Sequence, residues 1–209
     1  MYGLIKKDLL MIKQNLKNFI LVFIIFLSMT IINKSDMTFI LPFMAVMISI
    51  STFSYDNYNK WDAYAVTLPN GRKNIVRAKY ISTLIFVIIS FIISIISLFI
   101  INKCGMNIDL NSSLNDLSGC LVLVFLIMSI MFPIMYKFDV EKGRIALFIL
   151  TFGITGISVL IMNNVNIAIP DNIIDFFKNY YKILIPIITC LLIFISYKIS
   201  ERFYSKKEF

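Results

Sequence analysis

The chain has 209 residues, 59% hydrophobic and 15% charged, with a mean hydropathy of +0.85. A soluble domain carries about 25% charge and about 45–50% apolar residues, so the long uncharged runs exclude a soluble core and imply one polytopic membrane domain over residues 1–209. The net charge of +8 sits at the edges of those runs, a placement that suits phospholipid headgroups and argues against nucleic acid as a partner.

Taken in chain order, residues 2–16 read as an interfacial helix lying on the membrane. Ile5, Leu9, Ile12 and Leu16 fall at spacings of four, three and four and form one apolar stripe. Lys6, Lys13 and Lys17 lie along another face, at headgroup level. The first span is expected over 19–32. It lacks a small-x-small cleavage site, so it reads as a retained helix rather than a secretory signal. Asn33, Lys34, Ser35 and Asp36 make a tight turn, and the second span follows over 37–53 with Pro42 near its start.

Residues 54–80 are the longest polar stretch, and the third span is expected over 81–101. Residues 102–116 read as an outer loop with Asp109 and Asp116, and the fourth span as 117–136. A short charged loop over 137–144 leads to the fifth span, 145–162. The mixed segment 163–182, with Pro170, Asp171, Phe176 and Phe177, reads as an outer loop holding a short helix that dips back into the membrane. The sixth span covers 183–199 and ends in the basic tail Lys198, Arg202, Lys206 and Lys207.

Sixteen of the 20 Lys and Arg fall on the side that holds both termini, and four on the other. That bias places both ends in the cytoplasm. Apart from Lys198 at the inner end of the sixth, no Asp, Glu, Lys or Arg lies inside an expected span, which argues against a carrier coupled to ions through an intramembrane carboxylate. Histidine is absent and the three cysteines show no C-x-x-C spacing, so no metal site is expected. Cys104 and Cys120 share the outer side, where a disulfide is conceivable; small unpaired residues are the simpler reading.

Gly153, Thr155, Gly156 and Ser158 give the fifth span a small-residue surface suited to close helix packing, first of all within one subunit. Met128, Met131 and Met135 offer either a wall along which an amphipathic peptide slides or an ordinary lipid-facing surface.

Within 54–80, Tyr58, Trp61, Ala65 and Leu68 are spaced three, four and three and should share one helix face. Pro69, Asn70 and Gly71 then stop the helix and turn the chain. Such a short amphipathic helix, carrying the single Trp of the chain, is either an interface anchor or a knob for a groove on a cytoplasmic partner, with aromatics as anchors and charges fixing register.

The run Phe53-Ser54-Tyr55-Asp56, then Lys60-Trp61-Asp62 with Tyr64, then Leu68-Pro69 with Arg72, Lys73, Ile75, Val76, Lys79 and Tyr80, resembles the permeases of ABC-2 type exporters. It is most similar to the small bacterial branch that includes exporters of phenol-soluble modulins and other antimicrobial peptides. The resemblance is sharp over 53–80 and rests elsewhere on span number and topology.

It implies an all-α integral membrane fold of the type V ABC exporter kind. That fold has an amino-terminal interfacial helix, six transmembrane helices, and a coupling helix between spans two and three. It implies two permease subunits, alike or different, pairing with two cytoplasmic ABC ATPase subunits in a bacterial plasma membrane. Asp56, Tyr58, Lys60, Trp61, Asp62 and Tyr64 would contact the ATPase. No G-x-x-x-x-G-K-[ST] run occurs, so ATP and Mg would bind the partner, and this chain needs no cofactor of its own. The implied substrate is an amphipathic peptide or lipid-like molecule moving outward. The alternative is a non-transporting immunity or sensor protein whose inner loop docks a signalling partner.

Overall fold

Long uncharged runs can satisfy their backbone groups in a bilayer only as helices or closed barrels. The computed structural model describes residues 2–33, 40–67, 71–103, 110–164 and 171–207, and among them no strand occurs. They form α1 (Tyr2–Asn33), α2 (Ile40–Tyr58), α3 (Trp61–Ala65), α4 (Gly71–Lys103), α5 (Leu110–Asn164) and α6 (Asp171–Lys206). Gly71–Lys103, Leu110–Phe138 and Leu184–Ser205 are long and apolar enough to cross a membrane, and Phe19–Thr30 is a shorter apolar helix. The chain is an all-α membrane protein.

Its outward face confirms the solvent. Along α4, Ile88, Ile92, Ile96 and Phe99 are exposed, while Val87, Ser90, Ser94 and Leu98 are buried. An apolar exterior against a partly polar interior is the arrangement a bilayer selects. The inward hydroxyls do not go unsatisfied: Ser90 donates to the Val87 carbonyl, Ser94 to Ser90, and Ser97 to Ser94, the usual back-bonding of helical serines.

Several expectations need correction. The amino-terminal segment and the first span form one helix: α1 runs unbroken from Tyr2 to Asn33. No Gly or Pro follows Gly3 to break it, and its Asp8 and Ile12 are buried against the bundle. Helix α5 begins at Leu110, so residues 110–116 are helical rather than part of an outer loop. Residues 171–182 are the first turns of α6, continuous with the last span. Met128, Met131 and Met135 are buried in the core rather than lipid-facing. Among the described residues, a Cβ on Gly153 or Gly156 would meet nothing within 4 Å. The 33–36 turn beyond Asn33, Asp109, Pro170 and Cys104 lie outside the described residues, as do the side chains of Thr155 and Ser158.

The charged loop expected over 137–144 is also helical by backbone pattern, inside the 55 residues of α5. A straight helix of that length would reach about 80 Å, far more than a bilayer core of about 30 Å. The chain instead folds back there. A Cβ on Gly143 would sit 3.8 Å from the Met135 Cα, whereas residues eight apart in a straight helix stand about 12 Å apart along the axis. The reversal falls where the sequence places its charged segment, but without a non-helical loop.

Candidate functional site

Helix α2 ends where Lys60 adopts a left-handed backbone, with φ of 49°. The Asn59 amide donates to the Tyr55 carbonyl and the Lys60 amide to the Asn57 carbonyl, at 3.0 and 3.1 Å. A non-glycine residue in this conformation costs about 1–2 kcal/mol and ends the helix. A new axis starts at once with the five residues of α3. The Val66 and Thr67 amides close it on the Asp62 and Tyr64 carbonyls, both at 3.1 Å. Tyr58 and Trp61 therefore sit on different helices and do not share the face that their spacing suggested. Tyr58 is 88% exposed, while Ala65 is fully buried. Leu68 lies outside the described residues.

Behind α3 lies a cluster of four charges drawn from three helices. Asp56 at the end of α2 accepts from Lys79 of α4 at 2.6 Å and from Lys7 of α1 through its other oxygen. Asp8 of α1 lies 3.2 Å from Lys79 and 3.3 Å from Lys7, and it accepts from Ser82 at 3.1 Å. Asp8 and Lys79 are almost fully buried. Two cations and two carboxylates balance, so no net charge is left inside; a lone ion there would cost several kcal/mol. Lys79 also stands 4.8 Å from the Phe53 ring, and Lys7 stands 4.6 Å from the Trp61 ring. Each of these cation–π contacts contributes about 0.5–2 kcal/mol.

An aromatic layer backs the cluster. Phe53 meets Phe132 and Tyr136 edge-on at 5.0 and 5.2 Å, and Tyr80 meets Phe132 at 4.9 Å. The Tyr80 hydroxyl bonds Ser196 and Ser200 of α6 at 2.6 and 2.9 Å. Tyr204, near the end of α6, stacks edge-on against Tyr136 at 5.2 Å, and its hydroxyl donates to Asp62 at 2.9 Å. Burial pushes the Asp62 carboxyl up from its ordinary value. The Tyr204 hydrogen bond opposes that rise, the nearby Asp56 charge adds to it, and Lys207 and Lys79 oppose it.

The six residues expected to meet a partner thus separate. Tyr58, Lys60 and Tyr64 are exposed, and Trp61 and Asp62 are half-buried. Asp56 points inward into the charge cluster, so it is not a surface contact. Lys7, Asp8, Lys79 and Tyr204 belong to the same unit and were not anticipated. Asp8 carried one legible signal: it is the single acidic residue among the first 33 and shares a four-residue spacing with the buried Ile12. In chemical terms, the arrangement is a small aromatic and basic knob, made by Tyr58, Lys60 and Tyr64. The knob is fastened from behind to α1, α4 and α6 by ion pairs and one hydroxyl–carboxylate bond.

A family model described as ABC-2 family transporter protein matches residues 3–205. No curated protein and no solved structure matches the chain.

Proposed function

The chain belongs to the ABC-2 transporter family, whose members are the membrane permease component of ABC transporters, and from that premise we propose that it is the permease of an ATP-driven exporter. Family membership brings association with an ABC ATPase and dimerisation. In our reading two such permeases, alike or different, span a bacterial plasma membrane six times each with both termini cytoplasmic. Two cytoplasmic ATPase subunits bind the ATP and Mg. The substrate is an amphipathic peptide or lipid-like molecule, supported by the resemblance of residues 53–80 to peptide exporters. The cytoplasmic placement is supported by the sixteen basic residues on one side.

The observation that carries this reading is the exposed knob on a buried anchor. Tyr58, Lys60 and Tyr64 face outward on α3 and its approach. Asp56 and Asp62, within the same stretch, are bonded to α4, α1 and α6. A push on the knob therefore reaches three helices without passing through a flexible linker. Nucleotide-driven closure of the ATPase would bias such a unit between two arrangements.

The test is affinity purification of the full chain from its own membranes. An ATPase subunit should accompany it, and replacing Tyr58 and Tyr64 together by Ala should weaken that association on the order of tenfold. Trp61→Ala in a folded complex should lower ATP turnover. A chain that purifies without an ATPase, or a complex whose binding and turnover ignore all three changes, would defeat the proposal.

A further inference from the structure

At the end of the bundle that carries α3, the last turns of α6 and the first turn of α4 enclose an open groove of about 740 Å³. That lies within the about 300–1,000 Å³ of ordinary small-molecule clefts. Its lining changes character along one face of α6. Phe194, Lys198 and Arg202 follow each other at four-residue steps, and Ile195 and Ile199 run beside them. Four-residue neighbours share a helix face, so the wall passes from apolar to basic over eight residues, about 12 Å. Phe194 and Ile195 are 60% and 52% exposed. Lys73 of α4 closes the basic end, 4.0 Å from Glu201. Three cations thus face one carboxylate.

We propose that this groove binds an anionic phospholipid of the adjoining leaflet, with acyl chain along Phe194, Ile195 and Ile199 and phosphate between Lys198 and Arg202. The order of the lining matches the order of the molecule, with tail toward the bilayer core and headgroup toward water. A soluble anion would gain nothing from the apolar half, and a zwitterionic lipid would leave the excess positive charge uncompensated. Arg202 offers the planar fork that pairs two phosphate oxygens, and Lys198 adds a point charge on a stem lying along the wall, 5.9 Å from the Phe194 ring. The inference depends on the membrane placement of α6 and not on the direction of transport.

The experiment is native mass spectrometry of the full-length chain, purified with any subunits that accompany it, delipidated and titrated with phosphatidylglycerol. Phosphatidylcholine of the same acyl chains and free glycerol phosphate are titrated in parallel. Phosphatidylglycerol should bind tightest, and glycerol phosphate should not displace it. Each cation near a membrane surface contributes about fivefold in affinity, so K198Q with R202Q should weaken phosphatidylglycerol binding about 25-fold. K103Q, on an exposed residue in the last turn of α4, at the opposite end of that helix from Lys73, should leave binding unchanged. A folded K198R variant guards against a misfolded double variant and should retain binding. Equal affinity for phosphatidylcholine, displacement by glycerol phosphate, loss in the K103Q control, no loss in K198Q/R202Q, or failure of K198R to bind would overturn the assignment. So would cross-links from position 198 showing the groove covered by a second copy.

Discussion

The Tyr204 hydroxyl and the Asp62 carboxylate meet at 2.9 Å, joining residues 142 apart in sequence and fastening the five-residue α3 to the last helix. Five residues make barely more than one turn, too few to be stable alone. What holds α3 in place is this bond, the Lys7 contact on Trp61, and the burial of Ala65. Tyr204→Phe keeps the ring packing against Tyr136 and removes only the donor. A hydrogen bond to a charged group contributes about 1.5–3 kcal/mol. The variant should melt earlier in detergent and lose part of its stimulation of ATP turnover; an unchanged melting point would show that α3 is held without it.

Asp62 should make this contact sensitive to pH. Its folded carboxyl is pushed above the ordinary value of 3.8, first of all by burial. A raised carboxyl favours the protonated folded form, so its contribution is fully present below about 3.8 and lost as pH rises through the raised value. Asp62→Asn retains an acceptor for Tyr204 but does not titrate. Melting curves of both proteins across that window should therefore separate, with the wild type losing stability relative to the Asn variant as pH rises. A difference that stays flat, or that grows in the opposite direction, contradicts the assignment.

The all-α character was legible because a bilayer imposes it: an uncharged run of about 20 residues is long enough to cross as a helix, which satisfies its own backbone groups. The aromatic segment around Trp61 was legible for its composition. What did not show was which way each side chain turns. Helical spacing put Tyr58 with Trp61, but the left-handed Lys60 breaks the helix between them, and nothing in a polar run of Asn, Tyr and Asn fixes the residue where the axis changes. Asp56 looked like a surface charge because its partners are remote. Lys79 lies 23 residues away and Lys7 lies 49 away, and contacts at that separation depend on tertiary packing that no local period encodes. The Met row misled for the same reason: helical spacing specifies a stripe, not the neighbour that covers it.

Gly71 supplies a steric prediction. It opens α4 directly beneath the end of α3, and a Cβ there would collide with the Ala65 carbonyl oxygen. The obstacle is backbone, which cannot rotate aside as a side chain would. Gly71→Ala should therefore displace α3 from α4 and destabilise by about 1–3 kcal/mol, even though Ala is the better helix former by about 1 kcal/mol at an interior position. Gly3, with open space around its Cβ position, serves as the control, and Gly3→Ala should not lower the melting temperature. Similar melting of both variants would mean that α3 sits less closely on α4 than the geometry indicates.

The buried charges offer the strictest test, because their energetics are lopsided. Removing Asp56 leaves Lys7 and Lys79 facing each other with only Asp8 between them, and breaking a buried pair costs about 3–5 kcal/mol. Lys79→Met should cost a similar amount by stranding the carboxylates. Removing both partners is different: Lys7 and Asp8 still pair at 3.3 Å, and the remaining cluster is neutral. Asp56→Ala combined with Lys79→Met should therefore be more stable than the sum of the single losses by about 0.5–3 kcal/mol. Melting of the three variants in one detergent measures that coupling, and strict additivity would show the two side chains acting independently despite their 2.6 Å contact. Turnover adds a second readout. If the cluster only stabilises the fold, the double variant regains transport along with its melting point. If the cluster also carries the push from α3 into α1 and α4, stability returns while ATP turnover stays uncoupled from transport.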